Sequence, residues 1–132
     1  MIFVDTSFWI ATNLPRDAHH PVAQRLLGEH RADQLTTSNH VIGETWTFIR
    51  RRAGHADAMR FLDRAVASPR LSIVHMPHEM EEVALAWLRR HDERRYSFVD
   101  ATSFALMRSL KIKDALAFDG DFTAAGFREL RA

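Results

Sequence analysis

The chain has 132 residues, 46% of them apolar, with 18 basic against 17 acidic side chains; a chain of this length buries about two thirds of its unfolded surface, enough for one domain over residues 1–132 and too little for two. It has no cysteine, which excludes disulfides, thiolate zinc sites, iron-sulfur clusters and a cysteine nucleophile, so any metal is held by oxygen or imidazole. No apolar run approaches the roughly 18 to 20 residues of a membrane span, and the first hydrophobic stretch contains Asp5 without a basic lead-in, so the expectation is a cytoplasmic protein with no membrane partner and no signal peptide.

Met1-Ile2-Phe3-Val4 reads as a buried strand closed by Asp5. Phe8, Trp9 and Ile10 begin a short helical stretch that Pro15 and Asp17 interrupt, and His20-Pro21 restarts a helix carrying Val22, Leu26 and Leu27 on one face. Leu35-Thr36-Thr37 makes a short strand. Ser38 or Asn39 caps the helix that follows, which runs to Arg50, Arg51 and Arg52 before Gly54 stops it. In that helix Glu44 lies three residues after Val41 and four before Phe48, on the stripe those residues are expected to bury. An unpaired carboxylate there is costly unless a cation or a donor meets it. The next helix spans about Ala56 to Ala67, with Ala58, Phe61, Leu62 and Ala65 at helical spacing, and Ser68-Pro69 breaks it before the strand-like Leu71 to Met76. From Glu79 to His91 the set Met80, Val83, Ala84, Trp87 and Leu88 repeats the same period, and a basic loop leads to a helix beginning near Asp100. Ala115 to Phe118 reads as a second buried strand closed by Asp119, and a last short strand falls around Phe127 to Leu130.

Strands alternating with helices define an α/β domain, and connections of this length favour parallel strands with right-handed crossovers. Such sheets hold ligands beyond the carboxyl ends of their strands. Asp5 and Asp119 stand at that edge by position, and Glu44 and Asp100 belong to early turns of helices that begin there. Each has a structural alternative. Asp5 before Thr6-Ser7 fits a helix cap, Ser97-Phe98-Val99-Asp100 fits a capping box, and Asp119-Gly120-Asp121 fits a turn without the spacing of an EF-hand loop. If the four acids converge, their repulsion raises their pKa values unless a divalent ion compensates the charge. All-oxygen ligation suits Mg²⁺ or Mn²⁺, whose natural chemistry beside phosphate is phosphodiester hydrolysis.

The segments Met1 to Ser7 (MIFVDTS), Ser38 to Thr47 (SNHVIGETWT), Tyr96 to Ala105 (YSFVDATSFA) and Ala117 to Phe122 (AFDGDF) resemble, in order and spacing, PIN-domain ribonucleases, and specifically the VapC toxins of bacterial toxin-antitoxin pairs. The resemblance implies a PIN domain: three α/β/α layers around a central, mostly parallel sheet of four to five strands. It also implies a Mg²⁺- or Mn²⁺-dependent endoribonuclease that cuts structured RNA and inhibits translation, a cognate antitoxin, and a homodimer. By position Asp5, Glu44, Asp100 and Asp119 match the acidic quartet, with Thr6 supporting them and Asp121 as an additional metal ligand or water orienter. The GETWT stretch and the Tyr96 to Asp100 run look most like members acting on the sarcin-ricin loop of large-subunit ribosomal RNA; other members cut tRNA.

With the four candidate acids set aside, 18 basic residues face 17 less those four, a remaining surface of about +5. All but Lys111 and Lys113 of the bases are Arg, whose planar fork suits phosphate. Two clusters are candidates to hold a polyanion: Arg50 to Arg52 with His55, and Arg89, Arg90, His91, Arg94 and Arg95. The eight His residues show no metal-binding spacing and none adjoins the quartet in sequence, so they are expected to face solvent or RNA. Trp9, Trp46 and Trp87 are expected to pack, and the Phe8-Trp9-Ile10 helix is the candidate antitoxin groove. Two other classes use related features: a metal-binding receiver domain, which lacks its usual D-x-D start here, and a non-hydrolytic RNA-binding module.

Overall fold

The structure is a computed structural model and describes residues 1–132. The strands are β1 (Ile2–Val4), β2 (Leu35–Ser38), β3 (Leu71–Val74), β4 (Asp114–Leu116) and β5 (Arg128–Glu129). They form one sheet in the order β3-β2-β1-β4-β5, with every pair parallel. The helices are α1 (Thr6–Asn13), α2 (His20–Glu29), α3 (Asn39–Ala53), α4 (His55–Ala67), α5 (His78–Arg90), α6 (Phe98–Leu110) and α7 (Asp121–Ala124).

Side-chain alternation in β1 divides the core between the two faces of the sheet. Phe3 packs with Trp87 of α5 and with Phe104 of α6, while Ile2 and Val4 pack with Phe8 of α1 and Leu26 of α2. The result is the expected three-layer α/β/α fold. A third cluster joins α3 to α4 through Ile42, Ile49 and Phe61. Half-buried Trp9 packs against all three clusters. No helix is long and apolar enough to cross a membrane.

The order of the sheet determines where a ligand fits. From β1 the chain builds outward through β2 and β3 on one side, then returns to place β4 and β5 on the other. Crossover helices therefore diverge between β1 and β4, and a crevice opens at their carboxyl ends. Hydrogen bonds fix this junction: the Thr37 hydroxyl donates to the Val4 carbonyl at 2.8 Å, and the Asp5 amide donates to the Leu116 carbonyl at 3.0 Å.

Several expectations change. β3 stops at Val74 and β4 at Leu116, so Asp119 lies on a loop two residues beyond Ala117 and does not close a strand. The cause is a contact across the chain: the Phe118 amide leaves the ladder to donate to Ser7 Oγ at 3.0 Å, and its ring stacks on Phe8. Asp121 begins the short helix α7, where a turn was the simpler reading. Phe8 is fully buried and belongs to the core, not to an exposed groove.

Phe104 is the hub of one face, fully buried with Trp87, Tyr96, Phe122 and Phe127 rings centred 4.9 to 5.7 Å away. Phe104→Ala is expected to lower unfolding free energy by about 3–5 kcal/mol in urea denaturation, the usual cost of an aromatic-sized core deletion. A loss below about 1 kcal/mol would mean that this face repacks freely.

Candidate metal centre

Two buried carboxylates form the floor of the crevice. Asp5 is 2% exposed and caps α1: its Oδ2 accepts from the Ser7 amide at 3.2 Å and from Ser7 Oγ at 2.7 Å. Since Ser7 Oγ also receives the Phe118 amide, this one hydroxyl ties the ends of β1 and β4 together. Asp100 is 7% exposed and completes the capping box of α6, with Oδ2 accepting from the Ser97 amide at 2.9 Å and its own amide donating to Ser97 Oγ at 2.9 Å. In both residues the cap uses Oδ2. The Oδ1 atoms accept no bond from the protein.

Asp119 and Asp121 form the mouth. Gly120, at φ 80, makes the left-handed turn between them, and Asp119 Oδ1 accepts from the Asp121 amide at 3.1 Å. Buried Glu129 braces the turn from β5, accepting from the Gly120 amide at 3.3 Å and the Thr123 amide at 2.9 Å. Arg94 donates through Nε to Asp121 Oδ1 at 3.0 Å. Carboxylate oxygens of Asp100, Asp119 and Asp121 lie within 4.8 Å of one another.

This crowding disfavours charge. Burial, then Asp119 and Asp100, push Asp5 up from 3.8 to about 7, against the lowering effect of the Ser7 hydroxyl. Burial lifts Asp100 to about 6, with Asp119 and Asp121 adding to the rise. Asp119 is also raised, by loss of water first and then by Asp121 and Glu129. The donor set is entirely oxygen, and buried Thr6 Oγ1, next to Asp5 in the chain, has no hydrogen-bond partner. Repelling carboxylates with free oxygens and an unsatisfied hydroxyl fit a hard divalent cation.

The structure thus brings together Asp5, Asp100, Asp119 and Asp121 but does not bury Glu44. The buried stripe of α3 is Val41, Ile42, Thr45 and Ile49, whereas Glu44 is exposed and Phe48 half-buried. At about 100° per residue Glu44 falls roughly a third of a turn from the centre of that stripe. The desolvation argument for Glu44 therefore fails. Sequence reading missed Ser7 and Glu129, whose partners are 111 and 9 residues away, and it placed Arg94 only in a general basic cluster. The other cluster, Arg50 to Arg52, ends the 15-residue α3 and so lies roughly 20 Å from the edge where that helix starts. Four histidines pair with acids: His30 with Asp33, His40 with Glu81, His78 with Glu82 and His91 with Glu93.

The PIN-domain family profile matches residues 2–128. The 23S rRNA-specific endonuclease VapC20 of Mycobacterium tuberculosis, from strains CDC 1551 / Oshkosh and ATCC 25618 / H37Rv, is 55% identical over 135 aligned positions covering 99% of this chain and 98% of the relative. The crystal structure of Mycobacterium tuberculosis VapC20, described as a sarcin-ricin loop cleaving toxin, superposes with a TM-score of 0.94 at 52% identity, covering 100% of both chains.

Acids raised on folding retain protons that the unfolded chain has released. The metal-free fold should therefore lose stability as pH rises from about 4 through about 7. Asp5→Asn removes the largest of these costs while keeping an oxygen for the Ser7 cap. Thermal denaturation in EDTA is expected to show the variant more stable than wild type at pH 8, by on the order of 2 kcal/mol, and nearly equal to it at pH 4. Equal stability at pH 8 would show that the crevice carries no charge strain.

Proposed function

The chain belongs to the PIN-domain family as a VapC-type toxin, and from that membership we propose that it is a divalent-metal-dependent endoribonuclease cutting the sarcin-ricin loop of 23S ribosomal RNA and inhibiting translation. The observation that carries the chemistry is the convergence of Asp5, Asp100, Asp119 and Asp121 in one crevice at the switch between β1 and β4. The RNA assignment is supported by relatives that match this chain end to end and are described as acting there. With the family established, the receiver and non-hydrolytic readings fall away; a tRNA target is the alternative that shares this centre.

Asp5 and Asp100 offer their uncapped Oδ1 atoms, and Asp119 and Asp121 supply oxygens at the mouth. Glu44 is assigned to the rim, in the second turn of the helix that follows β2. Mg²⁺ or Mn²⁺ held there lowers the pKa of water and offsets charge on the phosphate. The helix caps keep Asp5 and Asp100 in fixed rotamers, so the centre is organised before RNA arrives. Arg94 occupies Asp121 in the free protein and carries a positive charge to the mouth, where phosphate must enter.

The proposed antitoxin groove moves from Phe8 to a cavity of about 280 Å³ between α1, α2 and α4, lined by Trp9, Leu27, Phe61 and Leu71. Exposed Leu85 on α5 and Phe98 on α6 are the apolar residues assigned to the proposed homodimer contact. A cytoplasmic location agrees with a ribosomal target.

Cleavage of ribosomes by the purified protein is expected to leave 5′-phosphate and 3′-hydroxyl ends and to stop in EDTA, because water and not the 2′-hydroxyl is the nucleophile. Cyclic 2′,3′-phosphate ends, or cutting confined to tRNA, would contradict the mechanism or the target respectively. Asp5→Asn and Asp100→Asn are each expected to lower the rate by about 10³-fold or more in primer-extension assays, with a smaller loss for Glu44→Gln. Wild-type rates in either aspartate variant would leave that residue as a helix cap alone.

A further inference from the structure

Beside Asp119 lies a cavity of about 470 Å³ whose walls include His19, Arg25, Phe118, Asp119 and Arg131. The His19 ring lies flat against Phe118, with centroids 4.5 Å apart and planes 5° from parallel, and Phe118 stacks in turn on buried Phe8 at 5.7 Å. This places a rigid stack, rooted in the core, with an exposed ring at its end. His19 is exposed and makes this one ring contact, on Phe118. Arg25 and Arg131 are exposed and neither forms a salt bridge, although each lines the same cavity as the carboxylates of Asp119 and Glu129.

An exposed aromatic ring flanked by guanidinium groups without salt bridges, next to the proposed phosphodiester-cutting centre, has the chemistry of a single-stranded nucleotide site. Bases stack on flat rings with little dependence on sequence, and arginines neutralise the phosphates on either side. The Phe8 and Phe118 rings beneath His19 hold it against the pull of a bound base. We propose that His19 is the stacking platform for an unpaired nucleotide adjacent to the cleaved bond, with Arg25 and Arg131 holding its phosphates. The proposal rests on the nuclease reading for the identity of its ligand, since that reading brings RNA to Asp119. It makes His19 a positioning residue, with no part in proton transfer.

Fluorescence anisotropy of a synthetic hairpin RNA carrying the sarcin-ricin loop, measured on the Asp100→Asn protein so that the RNA stays intact, tests the site independently of cleavage. Adding His19→Ala is expected to weaken binding roughly tenfold, and His19→Phe to restore it, because a phenyl ring stacks without titrating. Arg25→Ala and Arg131→Ala are each expected to reduce the slope of log affinity against log salt by about 0.7, as loss of one single-strand phosphate contact requires. Unchanged affinity in His19→Ala overturns the proposal, as does failure of His19→Phe to restore it. Weaker binding of the antitoxin with unchanged binding of RNA would also overturn it, reassigning the cavity to a protein partner. If the wild type cuts no RNA while these affinity changes hold, the nuclease reading fails and the platform stands.

Discussion

The candidate site depends on the burial of carboxylates gathered where a parallel sheet reverses its order. Strands end and helices begin at that one edge, so residues nearly the whole chain apart, Asp5 and Asp119, act on each other's charge, and Asp119 in turn lies beside Asp100 and Asp121. Burial and like charge then hold Asp5 and Asp100 in a state that releases protons reluctantly. Binding a divalent cation reverses the balance, since the ion favours the very charges the protein disfavours. A divalent cation held there would have to displace the protons these carboxylates retain, so its proposed binding would tighten as pH rises.

Capping and the proposed ligation, which compete as explanations when the sequence is read alone, are compatible in one side chain. In both Asp5 and Asp100 one carboxylate oxygen closes a helix while the other stays free. The cap locks the rotamer and aims the second oxygen, and Ser7 extends the constraint to Phe118 across the switch point. Glu129 performs a comparable task from β5, fixing the turn that presents Asp119 and Asp121. The centre is therefore built into the secondary structure, with little left to flexible side chains.

Most of the fold was legible because each signal is local. The apolar run before Asp5, the periodic faces of α4 and α5, and the Ser97 capping box depend on residues within one or two turns of each other. Failures arose where a contact across the chain overrode the local pattern. Phe118 continues an apolar run yet leaves the ladder, drawn off by Ser7 and Phe8. Glu44 showed that a stripe inferred from two apolar residues can be set at the wrong angle, since Phe48 is only half-buried and the true centre lies nearer Thr45. Arg94 and His19 carry no sequence signal that would set them beside Asp121 and Asp119.

The central claim is that these aspartates form one metal site, and anomalous scattering from a crystal soaked in Mn²⁺ addresses it directly. An anomalous peak is predicted between Asp100 and Asp119, within about 2.5 Å of a carboxylate oxygen from each. A crystal that takes up Mn²⁺ elsewhere, or shows no peak among Asp5, Asp100, Asp119 and Asp121 at saturating Mn²⁺ and pH 8, would contradict the account.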